Sequence, residues 1–242
     1  MIENDAVEQV SSGRIADNNR IVQKFVPRNI TDRFEVFSYR NAAAILASSF
    51  PEQFSEILAA LDAFSISETM IRTRGGSKGP IASYVDTLFG ERWIETRISA
   101  DLNVKLLHAR KTDVTLSEYR RRGFLDGHRI DFVNEKVALD LEWNSKDQTY
   151  DRDLTAFSAF YDAGAIDVGV ILTRGSSLDN AFFKSLGKVL NKDGSTGSED
   201  VFRKYGASTT WMGKLLYRLD AGRNGGCPVL AIGITPECVV PG

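Results

Sequence analysis

The segment VALDLEWN, residues 137–144, places two acidic side chains two positions apart in a run that otherwise resembles a buried strand. Successive side chains of a strand point to opposite faces, so Asp140 and Glu142 share one face. The apolar residues of the segment lie on the other face: Val137, Leu139, Leu141 and Trp143. Two carboxylates on one face of a buried strand are candidates for acid–base or metal chemistry.

A third carboxylate, that of Asp131, is expected to join this pair. RIDFV, residues 129–133, alternates as a strand, and a hairpin turn at Asn134–Glu135 or over 133–136 would set Asp131 opposite Ala138. Opposed residues share a face, so the three acids would converge. Like charges so close cannot all ionise unaided, and a divalent cation is the usual help. Oxygen ligands with open positions suit Mg²⁺.

A plainer alternative stays open from the spacing alone, namely that the acids lie solvated on the wet face of an edge hairpin. Two features favour a buried site. The acids are flanked by apolar residues, and the hairpin is followed by a helix and a second buried strand. Basic residues are also available to hold a polyanion beside the acids: Arg72, Arg74, Lys78, Arg110, Lys111, Arg120, Arg121 and Arg122.

The elements around the hairpin alternate between helical and extended patterns. Helical spacing covers residues 39–49, 51–64, 81–93, 150–164, 180–190 and 209–220, and strand patterns cover 129–133, 136–143, 166–173 and 227–235. We expect a Gly-rich basic loop at 72–80, and 117–124 to end a helix or lie in a loop. This order predicts an α/β fold with a mixed central β-sheet flanked by helices.

Length and composition limit the possible classes of protein. The 242 residues, 43% hydrophobic, suit a single domain over 1–242, in which 1–50 would be an N-terminal embellishment and 191–200 a mobile insertion. We expect the first ten or so residues to lack order. A net charge of -2 argues against a surface that is positive throughout but allows a local basic cleft.

No apolar run approaches the about 18 residues of a membrane span, and the N-terminus lacks the apolar core of a signal peptide. These features predict a cytoplasmic protein without membrane contact, in which Cys227 and Cys238 are free thiols.

DFVNEKVALDLEWN, followed by IDVGVILT and CPVLAIGITPE, resembles restriction endonucleases of the BglII/BstYI group, which are related to BamHI and have the PD-(D/E)-x-K nuclease fold. The resemblance is best from about Asp131 to Glu237 and looser before residue 120. It implies a restriction-endonuclease-like three-layer core and Mg²⁺-dependent hydrolysis of double-stranded DNA at a palindromic site. A GATC-containing site is expected, as is a methyltransferase in the same system that need not bind the chain.

The resemblance also assigns roles to the acids. The first metal-binding aspartate of the family falls on Asp131 and the second acid on Asp140, so these would hold one or two Mg²⁺ ions with the backbone carbonyl of Leu141. The third position, lysine in most of the superfamily, is Glu142 here, which would orient the attacking water. A fourth family position falls near Glu95 or Thr96, without a choice between them. The wider motif also has proline where this chain has Ile130.

DNA recognition is expected from two other segments, again by resemblance. One follows the active-site strand, at Asn144, Ser145 and Lys146, and the other is GASTT, 206–210, with Ser208, Thr209 and Thr210. A helix N-cap at Ser208 or Thr209 is the alternative for GASTT. Arg121 would contact DNA from the basic stretches.

We expect a homodimer, since a palindromic duplex has a two-fold axis and one chain offers one acid cluster. The helix at 150–164 is the first candidate for its interface. Other functions stay open: a structure-specific or repair nuclease, a DNA-binding regulator that has lost catalysis, or a metal-dependent hydrolase of small phosphates.

Overall fold

A six-stranded mixed sheet forms the centre of the computed structural model, which describes residues 19–75 and 78–242. The strands are β1 (Phe34–Tyr39), β2 (Ile66–Ser67), β3 (Ile94–Leu107), β4 (Thr115–Asn134), β5 (Val137–Glu142), β6 (Val168–Arg174), β7 (Lys188–Leu190), β8 (Thr196–Asp200), β9 (Val229–Ile234) and β10 (Val239–Val240). The order in the central sheet is β1-β9-β6-β5-β4-β3. Strands β5, β6 and β9 run parallel, and β1, β4 and β3 pair antiparallel to their neighbours.

Helices cover both faces of this sheet. They are α1 (described over 19–25), α2 (Arg28–Thr31), α3 (Ala42–Ser49), α4 (Pro51–Ala63), α5 (Glu68–Arg72), α6 (Pro80–Leu88), α7 (Thr149–Asp162), α8 (Asn180–Ser185), α9 (Val201–Lys204) and α10 (Met212–Asp220). A 3-10 turn spans Pro236–Cys238. The predictions of an α/β fold with a mixed central sheet and of a three-layer core are confirmed.

Two apolar cores lie on opposite faces of the sheet, and β5 contributes to both. Val137 and Leu139 pack into the core that holds α3 and α4, whereas Ala138 packs into the core that holds α7 and α10. This division follows the alternation predicted for β5. Strand β6 is buried at every position, as its continuous apolar pattern indicated.

The helix proposed for a dimer interface, α7, packs its apolar face on the sheet of its own chain. Leu154, Phe157 and Phe160 of α7 are buried in the core against the sheet. Their apolar face is therefore not available to a second copy, so only the exposed face of α7 could contribute to the predicted interface.

Gly169 in β6 is required by close packing of α7 on the sheet. A Cβ built at this position would overlap the ring of Phe157, closer than real Cβ atoms come to their neighbours. We expect Gly169→Ala to lower the free energy of unfolding by about 1–3 kcal/mol, the usual cost of overpacking a core. Urea unfolding measures this, with Gly90→Ala as the control, since a Cβ at Gly90 meets nothing within 4 Å. Equal midpoints for both variants would contradict the packing argument.

The largest difference from the predicted elements is at 117–124, which belongs to β4. Strands β3, 14 residues, and β4, 20 residues, pair over their length into a ribbon that extends beyond the core, from Ile94 opposite Val133 to Leu107 opposite Thr115. Residues 115–124 of β4 are exposed throughout, so the burial pattern by which a strand is recognised is absent there, whereas β3 alternates between less exposed and exposed residues from Thr96 to Lys105.

Smaller differences concern element ends and the termini. The helix predicted at 180–190 ends at Ser185, and β7 and β8 form a hairpin across 191–200. Within the range expected to be an embellishment, β1 is an edge strand of the central sheet. The first ten residues lie outside the described part of the chain.

Cys227 and Cys238 are buried, and both are free thiols as predicted. No helix in the described ranges combines the length and the apolar character that a membrane crossing requires.

Candidate active site

The β4–β5 hairpin brings Asp131 and Asp140 together with a register two residues away from the predicted one. Asn134 pairs with Val137 and Phe132 with Leu139, so the same register places Asp131 opposite Asp140 and not opposite Ala138. A shift of two residues keeps every side chain on its face, whereas a shift of one would reverse them. The shared face of the acids was therefore predicted correctly despite the wrong partner.

Main-chain hydrogen bonds lock these two carboxylates to the opposite strand. The backbone N–H of Asp131 donates to Oδ1 of Asp140 over 2.7 Å, and the N–H of Leu141 donates to Oδ2 of Asp131 over 3.3 Å. Each aspartate thus replaces a ladder partner of the other strand. The pair is fixed by the sheet itself and not by mobile side chains.

A β-bulge accompanies Asp131. Between the pairs Ile94–Val133 and Thr96–Ile130, one residue of β3, Glu95, is matched by two of β4, Asp131 and Phe132. An extra residue of this kind bends the strand and redirects its side chains, and bulges are common beside active sites. It explains how Asp131 can turn its carboxylate toward Asp140 and Leu141.

Burial makes both carboxylates hard to ionise. Asp140 is 4% exposed, and desolvation, followed by the charge of Asp131, raises its pKa well above the usual value. Asp131 opens on a cleft, but its surroundings desolvate it enough to raise its pKa as well, against the lowering effect of the Leu141 N–H. In the absence of a cation, the site therefore favours protonated acids.

The donors of this pair fit a hard divalent cation. Oδ2 of Asp140 is buried and has no hydrogen-bond partner among the described residues, which is costly unless another group satisfies it. Across 19–75 and 78–242, no group of three or more His, Cys, Asp or Glu side chains is gathered so as to hold a metal ion. A two-carboxylate platform, completed by a backbone carbonyl and water, suits a hard divalent cation.

Glu142 shares the face of Asp140 but is held by other groups. It is 5% exposed, and its Oε2 accepts a hydrogen bond of 2.9 Å from Oγ1 of Thr149. Its Oε1 lies 3.4 Å from Nη2 of Arg152. These contacts place the carboxylate at the wall of the cleft, apart from the interlocked Asp131 and Asp140.

Two site residues on α7 were not predicted from the sequence. Asp153 is 2% exposed, and burial together with Glu142 and Asp140 raises its pKa to about 9. Arg152 donates to Oδ1 of Asp153 from Nε, over 2.9 Å. One signal was available: Asp153 lies three residues after Tyr150, on the face of α7 that is otherwise apolar.

A cleft of about 780 Å³ opens beside these groups. Its lining includes Asp131, Glu142 and Arg152, as well as Leu141 and Glu95. The cleft therefore gathers the sequence-predicted acids on one surface, except for the buried Asp140 behind them.

Glu95 and Thr96 differ in their surroundings. Glu95 lines the cleft and lies 3.6 Å from Arg129, with its side chain largely exposed. Oγ1 of Thr96 donates to the carbonyl of Ile94 over 2.9 Å. The position of Glu95 makes it the better candidate for the fourth group.

The two segments expected to read DNA are joined in the structure. The N–H of Thr210 donates to the carbonyl of Ser145, and the N–H of Asp147 donates to that of Ser208, each over 2.9 Å. Lys146 and Thr209 form an isolated antiparallel bridge. Residues 144–146 and 206–210 thus form one continuous edge at the mouth of the cleft. The two segments are far apart in the sequence, with 65 positions between Ser145 and Thr210.

The side chains along this edge are not equally available. Asn144 and Ser145 line the cleft, and Oδ1 of Asn144 is buried without a partner in the described structure. Ser208 and Lys146 are exposed. Thr210 is fully buried, and its hydroxyl accepts from the N–H of Ser145 and donates to the carbonyl of Glu142. As it stands, Thr210 cannot reach a base edge.

Thr209 is partly engaged, and neither alternative cap forms. Its hydroxyl donates to the carbonyl of Gly206 over 2.8 Å and accepts from Arg174 over 3.1 Å. Helix α10 begins at Met212 after Trp211, without a side-chain cap. The N-cap alternative for Ser208 and Thr209 is therefore wrong.

The basic residues divide into three locations. Lys78 lines the cleft, whereas Arg72 donates to the carbonyl of Lys188 in β7 over 3.0 Å. Arg121 lies on the exposed β3–β4 ribbon, with its guanidinium over the ring of Phe124. Ten residues of strand separate Arg121 from Asp131, up to about 30 Å, so its contact with DNA would lie far from the acids.

Comparison with known proteins agrees with this site. A family model described as restriction endonuclease BglII/BglIII matches residues 34–234, which include the central sheet, the β4–β5 hairpin and the edge at 206–210. No curated protein sequence matches the chain significantly. Restriction endonucleases of this kind generally use a divalent metal, in agreement with the donors found here. The chain belongs to the BglII/BglIII family of restriction endonucleases, type II site-specific deoxyribonucleases that bind DNA and hydrolyse it at specific sequences.

Proposed function

We propose that this chain cuts both strands of a palindromic, GATC-containing duplex as an Mg²⁺-dependent homodimer. One observation carries the proposal: Asp131 and Asp140 are interlocked across the β4–β5 hairpin, with Oδ2 of Asp140 buried and unpartnered. A cleft of about 780 Å³ lies against them. We further propose that a methyltransferase of the same specificity protects the host DNA.

Each residue of the site has a distinct task. Asp131, Asp140 and the carbonyl of Leu141 would hold one or two Mg²⁺ ions, which when bound would make water more acidic and offset phosphate charge. Glu142, fixed by Thr149, would accept a hydrogen bond from the attacking water and orient it toward phosphorus. Glu95 would complete the acidic wall.

Incubation of a plasmid with the protein and Mg²⁺ tests this function. Discrete fragments that disappear in EDTA are expected, and their ends give the recognition sequence. Nicks or smears would favour a structure-specific or repair nuclease instead. No change in the plasmid at any divalent concentration would favour a DNA-binding regulator.

The homodimer rests on geometry and on exposed apolar surface. One chain carries one pair of interlocked aspartates, and two strands related by a two-fold axis require two such pairs. Large exposed apolar side chains of the described residues concentrate on the β3–β4 ribbon: Leu106, Leu107, Leu116, Tyr119 and Phe124. We place the contact between copies there. Sedimentation of the protein with a short duplex decides the stoichiometry, and one chain per duplex that cuts both strands would defeat the proposal.

Two substitutions in the edge formed by residues 144–146 and 206–210 distinguish a side chain that contacts DNA bases from one that supports the fold. Ser208→Ala should weaken binding to the specific site by about 1–3 kcal/mol for a lost base contact, with little effect on melting temperature. Thr210→Val should lower melting temperature, because it removes two internal hydrogen bonds. Fluorescence anisotropy with specific and scrambled duplexes, together with thermal melts, measures both. If Ser208→Ala and Thr210→Val change DNA binding and melting temperature in the same way, these two roles are contradicted.

A further inference from the structure

The cleft is lined by acids, yet the proposed substrate is a polyanion, so the two would repel each other. Glu95, Asp131 and Glu142 all line it, so a DNA phosphate that enters would meet carboxylates on several sides. A bound cation offsets only part of this repulsion, and an enzyme for phosphoryl transfer also stabilises the charge of the transition state with fixed donors. The chain must therefore present a positive group to the cleft.

Three cationic side chains of the described residues line the cleft, and two of them are held by other groups. Lys78 is paired with Asp86. Lys204 donates to the backbone carbonyls of Ile71 and Thr73, and burial lowers its pKa to about 8. Lys204 is not placed to approach a phosphate beside Asp131, whereas Lys78 lies near enough to interact with the charge of Asp131 but is held by Asp86.

Arg152 is the third, and its guanidinium is held open to the cleft. The side chain is 67% exposed although Nη2 lies 2.8 Å from Oδ1 of Asp153 and 3.4 Å from Oε1 of Glu142. A guanidinium carries five N–H donors. Among the described residues its hydrogen bonds use only Nε and Nη2, so the Nη1 edge remains for a substrate.

Asp153 explains why this donor edge is oriented. Neighbouring residues on a helix do not face each other, yet buried Asp153 accepts from both Nε and Nη2 of Arg152. The contact pulls the guanidinium from the surface of α7 toward Glu142. Asp153 is thus a positioning residue for Arg152.

We propose that Arg152 is a catalytic residue of this nuclease, which contacts the scissile phosphate and stabilises the charge that builds on its oxygens as water attacks. The planar fork of arginine matches phosphate oxygens, and its charge does not titrate. Arg152 forms and breaks no covalent bond. The water oxygen bonds to phosphorus as it gives up a proton to solvent, and the P–O bond to the leaving oxygen breaks with its electron pair going to that oxygen, which takes up a proton from solvent. The inference rests on the proposed cleavage of DNA.

The test compares Arg152→Met and Arg152→Lys with a control arginine that pairs with the same helix from the turn after α10. Arg223→Met is the control, since Arg223 pairs with Asp151 and does not line the cleft. In single-turnover cleavage with Mg²⁺, we expect Arg152→Met to be slower by about 100-fold or more, the usual loss for one fixed donor. Arg152→Lys should retain part of the rate, and Arg223→Met should match the wild type.

A second measurement separates contact with phosphate from support of Glu142. Binding is measured in Ca²⁺ to duplexes with a neutral methylphosphonate at the mapped cut position or with the normal phosphate. The wild type should lose affinity on neutralisation, and Arg152→Met should lose clearly less, because its cation is already absent. If Arg152→Met does not fold, the same comparison is made with Arg152→Gln, which also lacks the cation.

The outcomes are distinct. An equal methylphosphonate penalty in variant and wild type, or an unchanged cleavage rate in Arg152→Met, overturns the role of Arg152 and leaves the proposed function intact. A wild-type protein that cuts no duplex overturns both. A reduced rate with a reduced penalty supports Arg152 as a phosphate contact.

Discussion

Asp140→Asn should lower the rate of DNA cleavage by at least about 100-fold while the affinity for DNA changes little, because the loss falls on charge stabilisation in the transition state. Asparagine keeps an oxygen that can accept from the N–H of Asp131, so the β4–β5 hairpin should remain intact. It loses the charge on the buried Oδ2, which has no hydrogen-bond partner among the described residues and would be a ligand of the cation. Asp131→Asn and Glu142→Gln should also slow cleavage by orders of magnitude.

Single-turnover cleavage in Mg²⁺ and binding in Ca²⁺ are the measurements. Asp167→Asn serves as the matched control, since Asp167 is an exposed partner of Lys136 outside the cleft. Near-normal cleavage by Asp140→Asn, or by the wild type in EDTA, would show that the interlocked pair is not the catalytic centre.

The core of the fold could be predicted from the sequence because its signals are local. Continuous β-branched runs gave β6 and β9, and the alternation of β5 gave the shared face of Asp140 and Glu142. A period of two tolerates an error of two residues, so the wrong partner for Asp131 did not disturb the site.

The β3–β4 ribbon and the α7 residues could not be predicted in the same way. Residues 115–124 of β4 have no buried face and no regular alternation of apolar and polar residues, so Arg120–Arg122 gave only the signal of a charged surface, although ISADLNVK, 98–105 in β3, does alternate. Arg152 and Asp153 reach Glu142 through the packing of α7 on the sheet, a contact that no spacing along the chain encodes. The joining of Ser145 to Thr210 is of the same kind.

The buried acids also set the stability of the protein without metal. The pKa of Asp153 is raised to about 9, and that of Asp140 is raised well above its usual value, in both cases chiefly by burial. An unfolded aspartate has a pKa of about 3.9, so between these values the folded state binds more protons than the unfolded state. Stability is then fully present at acidic pH and is lost as pH rises toward the folded pKa.

Asp153→Asn should therefore raise the melting temperature of the metal-free protein at pH 8. The wild type must take up a proton to fold, whereas asparagine resembles the protonated acid without that cost. The gain should be at least about 2–4 °C, the shift that 1 kcal/mol causes in a chain of this size. It should shrink toward pH 5, where the wild type is protonated more readily.

Thermal melts in EDTA from pH 5 to pH 9 measure how the melting temperature changes with pH in the wild type and in Asp153→Asn. Asp162→Asn is the control, since Asp162 ends the same helix but is exposed. Divalent cation should raise the melting temperature of the wild type more at pH 8 than at pH 5, because binding requires deprotonated ligands. Parallel pH profiles for wild type and Asp153→Asn, or a lower melting temperature of the variant at pH 8, would contradict the raised pKa. Arg152 would then be held by an ionised Asp153, and the acids of α7 and β5 would stabilise the fold instead of opposing it.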